Sequence, residues 1–76
     1  MKQDVLRLLQ GILPEIDFEA SSALVDDGIL TSMTIVEIVS ELSIEFGITV
    51  PYHDLISTNF NSLDAIVGLV ERLKKM

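Results

Sequence analysis

The run of apolar residues between positions 35 and 46 most constrains the fold of this chain, because it repeats with the spacing of an α-helix. Large apolar residues recur there as Ile35, Ile38, Val39, Leu42 and Phe46. This spacing places them on one side of a helix. Gly47 follows as a residue suited to the left-handed conformation that ends many helices. The sequence therefore predicts an amphipathic helix that buries one stripe against other elements.

This helix is predicted to begin at Ser32, directly after an acidic turn. Asp26 and Asp27 precede Gly28 in that turn, and Thr31 carries a hydroxyl that can accept a backbone N–H from the first helical turn. With Thr31 as the N-cap, Ser32 becomes the first helical residue. A group attached to the Ser32 hydroxyl would therefore project from a helix N-terminus.

A first helix is predicted over residues 2–13. Its apolar face consists of Val5, Leu8, Leu9 and Ile12. Pro14 is expected to end it, because the residue before a proline avoids the α region.

A last helix is predicted after residue 61. Asn61 is the expected N-cap, and Asp64 in the first turn favours the helix dipole. The apolar stripe of this helix consists of Leu63, Ile66, Val67, Val70 and Leu73. Gly68 costs roughly 1 kcal/mol against Ala inside a helix, so we expect another element to pack closely against it.

The connections complete an all-α fold. Residues 14–31 lack a sustained period but contain many apolar side chains, so we expect an ordered loop held against the core. Residues 48–51 are expected to be extended because Pro51 disfavours helix before it, and Tyr52 to Ile56 are expected to form one short helical turn. The prediction is a four-helix bundle with three main helices and one short one.

Length and composition indicate one small soluble domain over residues 1–76, expected to be a monomer. The hydrophobic fraction of 49% argues against disorder, and no apolar run approaches the ~20 residues that span a bilayer. The first residues lack the apolar segment of a secretory signal, so we expect a cytoplasmic location without a membrane span. Cysteine is absent, so the polypeptide supplies no thiol.

The charge is strongly acidic, with twelve Asp and Glu against five Lys and Arg and a net charge of −7. Residues 8–71 contain no Lys or Arg. Such a field repels nucleic acid, whose binding requires neutralisation of phosphates, and attracts basic protein surfaces. The charge alone is equally explained by a solvated surface that keeps the protein soluble.

Neither a catalytic residue nor a metal site is predicted. His53 is the single histidine, and a helix about 20 Å long separates it from Ser32, so we expect an exposed loop residue. A calcium loop of the EF-hand type with Gly28 at its sixth position would need carboxylates where Ala23, Val25 and Thr34 stand.

The helix that begins at Ser32 also carries a second face, which is acidic and apolar. Glu37, Glu41 and Glu45 recur every fourth residue, and their mutual repulsion costs tenths of a kcal/mol per pair. Met33, Val36 and Ile44 lie off the buried stripe. Two interpretations are open, an exposed docking face beside Ser32 or apolar side chains covered by neighbouring loops.

Three stretches of the sequence and a short fourth one resemble the phosphopantetheine-binding acyl carrier proteins. The first is Leu24-Val25-Asp26-Asp27-Gly28-Ile29-Leu30-Thr31-Ser32-Met33, the second is Val36-Glu37-Ile38-Val39, and the third is Glu45-Phe46-Gly47-Ile48-Thr49-Val50-Pro51, with Asp64-Ala65-Ile66 further on. In that family an Asp-Ser-Leu motif opens the second helix, and a Glu-Phe-Gly-Ile-x-Ile/Val-Pro run closes it. The likeness covers nearly the whole chain.

The resemblance implies an acyl-carrier-like fold and a function that is not enzymatic. Ser32 matches the serine that carries 4′-phosphopantetheine, taken from coenzyme A by a phosphopantetheinyl transferase. Acyl groups would be held on this arm as thioesters and presented to loading ligases and acyl-transfer enzymes with basic docking patches. The expected docking residues are Thr31, Met33, Val36, Glu37, Ser40, Glu41 and Ile44.

Two departures from the family pattern leave alternatives open. Thr31 stands where the family usually has Asp, and Met33 where it usually has Leu, a change also found among D-alanyl carriers. One alternative is therefore an aminoacyl (D-alanyl) carrier loaded by an adenylating ligase. The other is an unmodified helical adaptor, since the missing aspartate removes a charge associated with docking of the transferase.

Overall fold

The structure, a computed structural model that describes residues 1–75, is built from three α-helices. They are α1 (Lys2–Ile12), α2 (Ser32–Phe46) and α3 (Leu63–Lys74). Two single-turn 3₁₀ helices, Tyr52–Asp54 and Ser57–Asn59, lie between α2 and α3. No β-strand occurs within residues 1–75, so the all-α prediction is confirmed. The two 3₁₀ turns take the place of the single short helical turn that was predicted over residues 52–56.

The core lies where the three helices meet, and α1 packs against both α2 and α3. Its most completely buried large side chains come from all three helices and from the loops, namely Val5, Leu9, Phe18, Leu24, Ile38, Leu42, Phe60, Ile66 and Val70. Burial of each such side chain stabilises the fold by about 1.5–3 kcal/mol relative to exposure. The loops thus contribute to the core as directly as the helices do.

The ends of α2 agree with the sequence prediction. Thr31 is the N-cap, with its side chain accepting a hydrogen bond from the Thr34 amide. Gly47 is the C-cap with φ of 65°, in the left-handed region that glycine adopts without a steric penalty. In α1 the last helical residue is Ile12, one residue earlier than predicted, and the Leu13 amide donates to the Leu9 carbonyl at 2.9 Å.

The predicted N-cap of α3 was wrong by one residue. Ser62 caps the helix, since its hydroxyl accepts a hydrogen bond from the Ala65 amide at 3.0 Å. Asn61 instead directs its side chain toward the loop between α1 and α2. Both residue types are good N-caps, and the hydrogen bonds that Asn61 makes to this distant loop decide between them.

The packing predicted against Gly68 is also absent. Gly68 is exposed, and nothing lies within 4 Å of the position that a Cβ atom would occupy. The buried residues of α3 are Leu63, Ile66, Leu69, Val70 and Leu73, and they turn the face with Gly68 to solvent.

The long connection between α1 and α2 is ordered, as predicted. Phe18, Leu24 and Leu30 are each at most 2% exposed, and Ile16 and Ile29 pack against the core from half-buried positions. These contacts hold the segment that leads directly into Ser32. None of the helices within residues 1–75 has the length and apolar character needed to cross a bilayer.

Candidate functional site

Ser32 occupies the first position of α2, on the surface of the molecule. Thr31 adopts an extended conformation before it, with φ of −87° and ψ of 172°. The Thr31 Oγ1 atom accepts from the Thr34 amide at 3.3 Å and lies 3.1 Å from the Thr34 hydroxyl. The hydroxyls of Thr31 and Thr34 thus contact each other, and the Ser32 side chain takes no part in this contact.

The Ser32 hydroxyl is unengaged within the described part of the chain. No side-chain hydrogen bond found among residues 1–75 involves it. In contrast, Ser43 on the same helix donates its hydroxyl to the Val39 carbonyl at 2.9 Å. A substituent on the Ser32 hydroxyl would therefore break no native side-chain hydrogen bond. A negatively charged substituent is favoured at this position, because the backbone N–H groups at a helix N-terminus attract an anion.

The apolar residues beside Ser32 are uncovered. Met33 is 78% exposed, Val36 64% and Ile44 76%. The interpretation in which neighbouring loops cover them is therefore wrong. Met33 and Val36 lie about one turn apart beside Ser32, and Ile44 lies about 12 Å further along the same helix. Several large apolar side chains exposed on one helix indicate a contact surface, whereas single exposed residues scattered over a protein are normal.

Acidic residues border this apolar group. Glu37, Glu41 and Glu45 are exposed, and Ser40 lies on the same exposed side of α2. None of the ion pairs found within residues 1–75 includes these three carboxylates. No cation among residues 1–75 therefore lies within ion-pair distance of these carboxylates.

The few cations near the helices are engaged elsewhere. Lys2 Nζ lies 3.2 Å from Asp64 Oδ1, and Arg7 Nη1 lies 3.6 Å from Asp4 Oδ1. The Arg72 guanidinium contacts the Asp54 carboxylate through two hydrogen bonds, of 2.8 and 3.4 Å. Arg7 nevertheless lines the same surface cleft as the α2 glutamates, and Lys74 Nζ lies 5.7 Å from the centre of the Phe46 ring on α2. Neither cation is within ion-pair distance of Glu37, Glu41 or Glu45.

The loop before Ser32 is fixed by Asn61, a role that the sequence did not indicate. Asn61 Oδ1 accepts from the amides of Val25 at 2.9 Å and Asp26 at 3.1 Å. Its Nδ2 donates to Asp26 Oδ2 at 3.1 Å, and its backbone carbonyl accepts from the Leu24 amide at 2.8 Å. Four hydrogen bonds thus tie the turn at 24–26 to the start of α3. The partners lie 35 residues or more apart, so no local pattern could have indicated them.

The Asp54–Arg72 pair fixes the segment after α2. The Asp54 side chain is only 10% exposed, and the hydrogen bond from Arg72 holds the pKa of its carboxyl below the ordinary value. Asn59 Nδ2 donates to the Asp54 carbonyl at 2.8 Å, which joins the two 3₁₀ turns. His53 is exposed, as expected, with Nε2 at 3.7 Å from Asp54 Oδ2.

No group of three or more His, Asp or Glu side chains within residues 1–75 is arranged to hold a metal ion. Comparison with models of known families, with curated proteins and with solved structures finds no match for this chain.

Proposed function

We propose that the chain is an acyl carrier protein of the phosphopantetheine-binding family, with Ser32 as the residue that carries the prosthetic group. The observation that supports this most directly is the exposed, unengaged hydroxyl of Ser32 at the first position of α2. Ser32 stands at the serine of the family motif, and three α-helices with two short 3₁₀ turns before the last are compatible with an acyl-carrier-like bundle.

The residues around Ser32 are compatible with a 4′-phosphopantetheine group. Its phosphodiester is an anion, and the N-terminus of α2 favours an anion by about 0.3–1 kcal/mol at an exposed site. The Thr31 cap preserves the helix end independently of Ser32, since it bonds to Thr34. When bound, the group supplies a thiol, which a chain without cysteine lacks and which can hold acyl groups as thioesters.

The chain itself presents the arm and docks to enzymes. Basic patches on a phosphopantetheinyl transferase, a loading ligase or an acyl-transfer enzyme would meet the uncompensated carboxylates of α2, which raises association rates and sets orientation more than it raises affinity. Apolar residues on the same helix would add contact area. The proposed docking residues are Thr31, Met33, Val36, Glu37, Ser40, Glu41 and Ile44.

Incubation of the purified protein with coenzyme A and a broad-specificity phosphopantetheinyl transferase tests the proposal. A mass gain of ~340 Da is expected for the wild type, because one phosphopantetheine is added to one hydroxyl. Ser32→Ala should abolish the gain, while Ser57→Ala, which removes an exposed hydroxyl outside α2, should leave it unchanged. A full mass gain in Ser32→Ala would assign the modification to another residue.

The nature of the cargo separates two forms of this function. The Asp27-Gly28-Ile29-Leu30-x-Ser32-Met33 stretch is closer to D-alanyl carriers than to the fatty-acid type, which favours an aminoacyl carrier loaded by an adenylating ligase as the second candidate. Loading assays that supply the holo-protein with ATP and an amino acid, or with an acyl donor, distinguish the two by the mass of the thioester.

An unmodified adaptor is the third candidate, and the uncharged Thr31 beside Ser32 favours it. The exposed apolar side chains of α2 could bind a partner without any prosthetic group. This candidate predicts that no transferase modifies the protein and that Ser32→Ala has no effect on its binding to partners.

A further inference from the structure

A second surface lies on the side of α2 that faces α1. An open cleft of about 580 Å³ lies on the surface between these two packed helices, and Met33, Val36 and Ile44 do not line it. We call it the α1–α2 cleft; α1 contributes Leu8, Gly11 and Ile12, and α2 contributes Glu37, Glu41 and Glu45. Ser32 and Glu41 are nine residues apart, which places them about 180° apart around the helix axis.

The α1 side of the cleft is apolar and has room for another side chain. Leu8 and Ile12 are half-buried, so part of each side chain faces the cleft after the core is packed. Gly11 lies between them on the same face of α1, and nothing lies within 4 Å of the position of its missing Cβ. The absence of a side chain at Gly11 thus opens the cleft at its apolar side.

The α2 side of the cleft is negatively charged. Arg7, the one cation that lines the cleft, is paired with Asp4 at its own side, with Arg7 Nη1 3.6 Å from Asp4 Oδ1. The carboxylates of Glu37, Glu41 and Glu45 take part in none of the ion pairs found within residues 1–75. Three negative charges therefore border an apolar strip without compensation.

The spacing of these charges matches a helix. Glu37, Glu41 and Glu45 are four residues apart, so they recur about every 6 Å along α2 and span about 12 Å. A partner helix that lies along the cleft would place Lys or Arg at every fourth position at the same interval. Its apolar side chains would then face Leu8 and Ile12 across the open position at Gly11.

We propose that the α1–α2 cleft binds an amphipathic helix of a partner protein, with Lys or Arg at every fourth position and apolar residues beside them. A second copy of this chain does not fit this description, because its Lys and Arg occur only at positions 2, 7, 72, 74 and 75. The site needs neither Ser32 nor a prosthetic group, but it shares Glu37, Ser40 and Glu41 with the docking residues of the proposed function. Leu8, Gly11 and Ile12 belong to the cleft alone, so binding at residues 8–12 tests this proposal separately from the carrier function.

A synthetic peptide of about 14 residues, built from Leu and Lys with Lys at every fourth position of one face, is the probe. Binding to the ¹⁵N-labelled full chain is measured by amide chemical shifts and by calorimetry at low ionic strength. The shifts should centre on residues 8–12 and 37–45. A peptide of the same composition without an amphipathic face, and one with Glu in place of Lys, should bind at least about tenfold more weakly.

Two variants with matched controls locate the site. Gly11→Leu fills the cleft and should weaken binding about tenfold, whereas Gly68→Leu, at the other exposed helical glycine with open space, should leave it within about twofold. Glu45→Lys should weaken binding and reduce its salt dependence, whereas Glu71→Lys on α3 should not. Ser32→Ala should bind the peptide as the wild type does.

Three results would overturn the proposal. One is shifts centred on Met33, Val36 and Ile44, which would place the peptide on the apolar group beside Ser32. Another is equal affinity of the Gly11→Leu variant and the wild type. The third is the absence of binding at low ionic strength while circular dichroism shows that all variants are folded.

Discussion

Replacement of Asn61 by Ala should destabilise the protein by about 2 kcal/mol, because it removes three side-chain hydrogen bonds that hold the turn before Ser32. The half-buried amide of Val25 loses an acceptor at 2.9 Å, which costs about 1 kcal/mol. The amide and carboxylate of Asp26 lose partners at 3.1 Å each, and since water can replace them, each costs about 0.5 kcal/mol.

Urea unfolding of the wild type and the variant, followed by circular dichroism, measures this difference. A loss of about 2 kcal/mol corresponds to a fall in Tm of roughly 10 °C for a domain of this size. Asn59→Ala is the matched control, because one hydrogen bond of its side chain is found within residues 1–75, to the Asp54 carbonyl at 2.8 Å, and its loss should cost about 1 kcal/mol.

Local exchange measurements complete the test. Hydrogen exchange at the amides of Val25 and Asp26 should accelerate in Asn61→Ala, while exchange in the middle of α2 follows only the change in global stability. A destabilisation below about 0.5 kcal/mol, or one no larger than that of Asn59→Ala, would refute the view that Asn61 holds this turn.

Three further predictions concern docking, modification and pH. Reversal of Glu37 and Glu41 to Lys should slow loading by partner enzymes and flatten its salt dependence while helix content stays constant; unchanged kinetics across salt would leave α2 a solvated face. Thr31→Asp should raise the rate of modification with a stability change of no more than about 1 kcal/mol, since both residues cap a helix; an unaltered rate would make Thr31 a neutral substitution. Arg72 lowers the pKa of Asp54 in the folded state. Their pairing should therefore stabilise the fold at pH values above the ordinary Asp pKa of 3.8, and this stabilisation should disappear as the pH falls through the lowered pKa. Arg72→Met should therefore destabilise at pH 7, and the difference from wild type should shrink in acid; a difference that is constant with pH in thermal melts would contradict this.

The helices that depend on local patterns were predictable from the sequence. The start and end of α2 follow from Thr31 and Gly47, whose side-chain chemistry acts within a few residues. The buried face of α2 follows from helical spacing in the same way, and Ile38 and Leu42 lie in the core as predicted. The spacing missed Leu6 in α1 and Leu69 in α3, which are also buried. These features require no knowledge of distant contacts.

The features that depend on distant contacts were not predictable. Asn61 and Ser62 are equally good N-caps by type, and only the bonds from Asn61 to a turn 35 residues away assign the cap to Ser62. Gly68 was expected in a close contact because glycine is costly in a helix, yet it faces solvent. Helical spacing placed it in α3 but carried no information about its neighbours.

The sequence indicated which apolar residues of α2 lie off its buried stripe, but it did not indicate whether they are exposed. Sequence spacing placed Met33, Val36 and Ile44 off the buried stripe of α2 but could not decide whether a loop covers them. The loop between α1 and α2 has no period from which its path could be derived, and in the structure it packs Phe18 and Leu24 into the core, with these three side chains left exposed. The α1–α2 cleft was missed for the same reason, since it depends on how two helices lie together.

The central claim, that Ser32 carries a phosphopantetheine arm, is tested most directly by the intact mass of the protein purified from the cells that express it. The account predicts a gain of ~340 Da or more over the sequence mass, localised to Ser32 by peptide fragmentation and absent from Ser32→Ala expressed in the same cells. A wild-type protein at its unmodified mass, under conditions in which the transferase modifies another carrier fully, would contradict the claim.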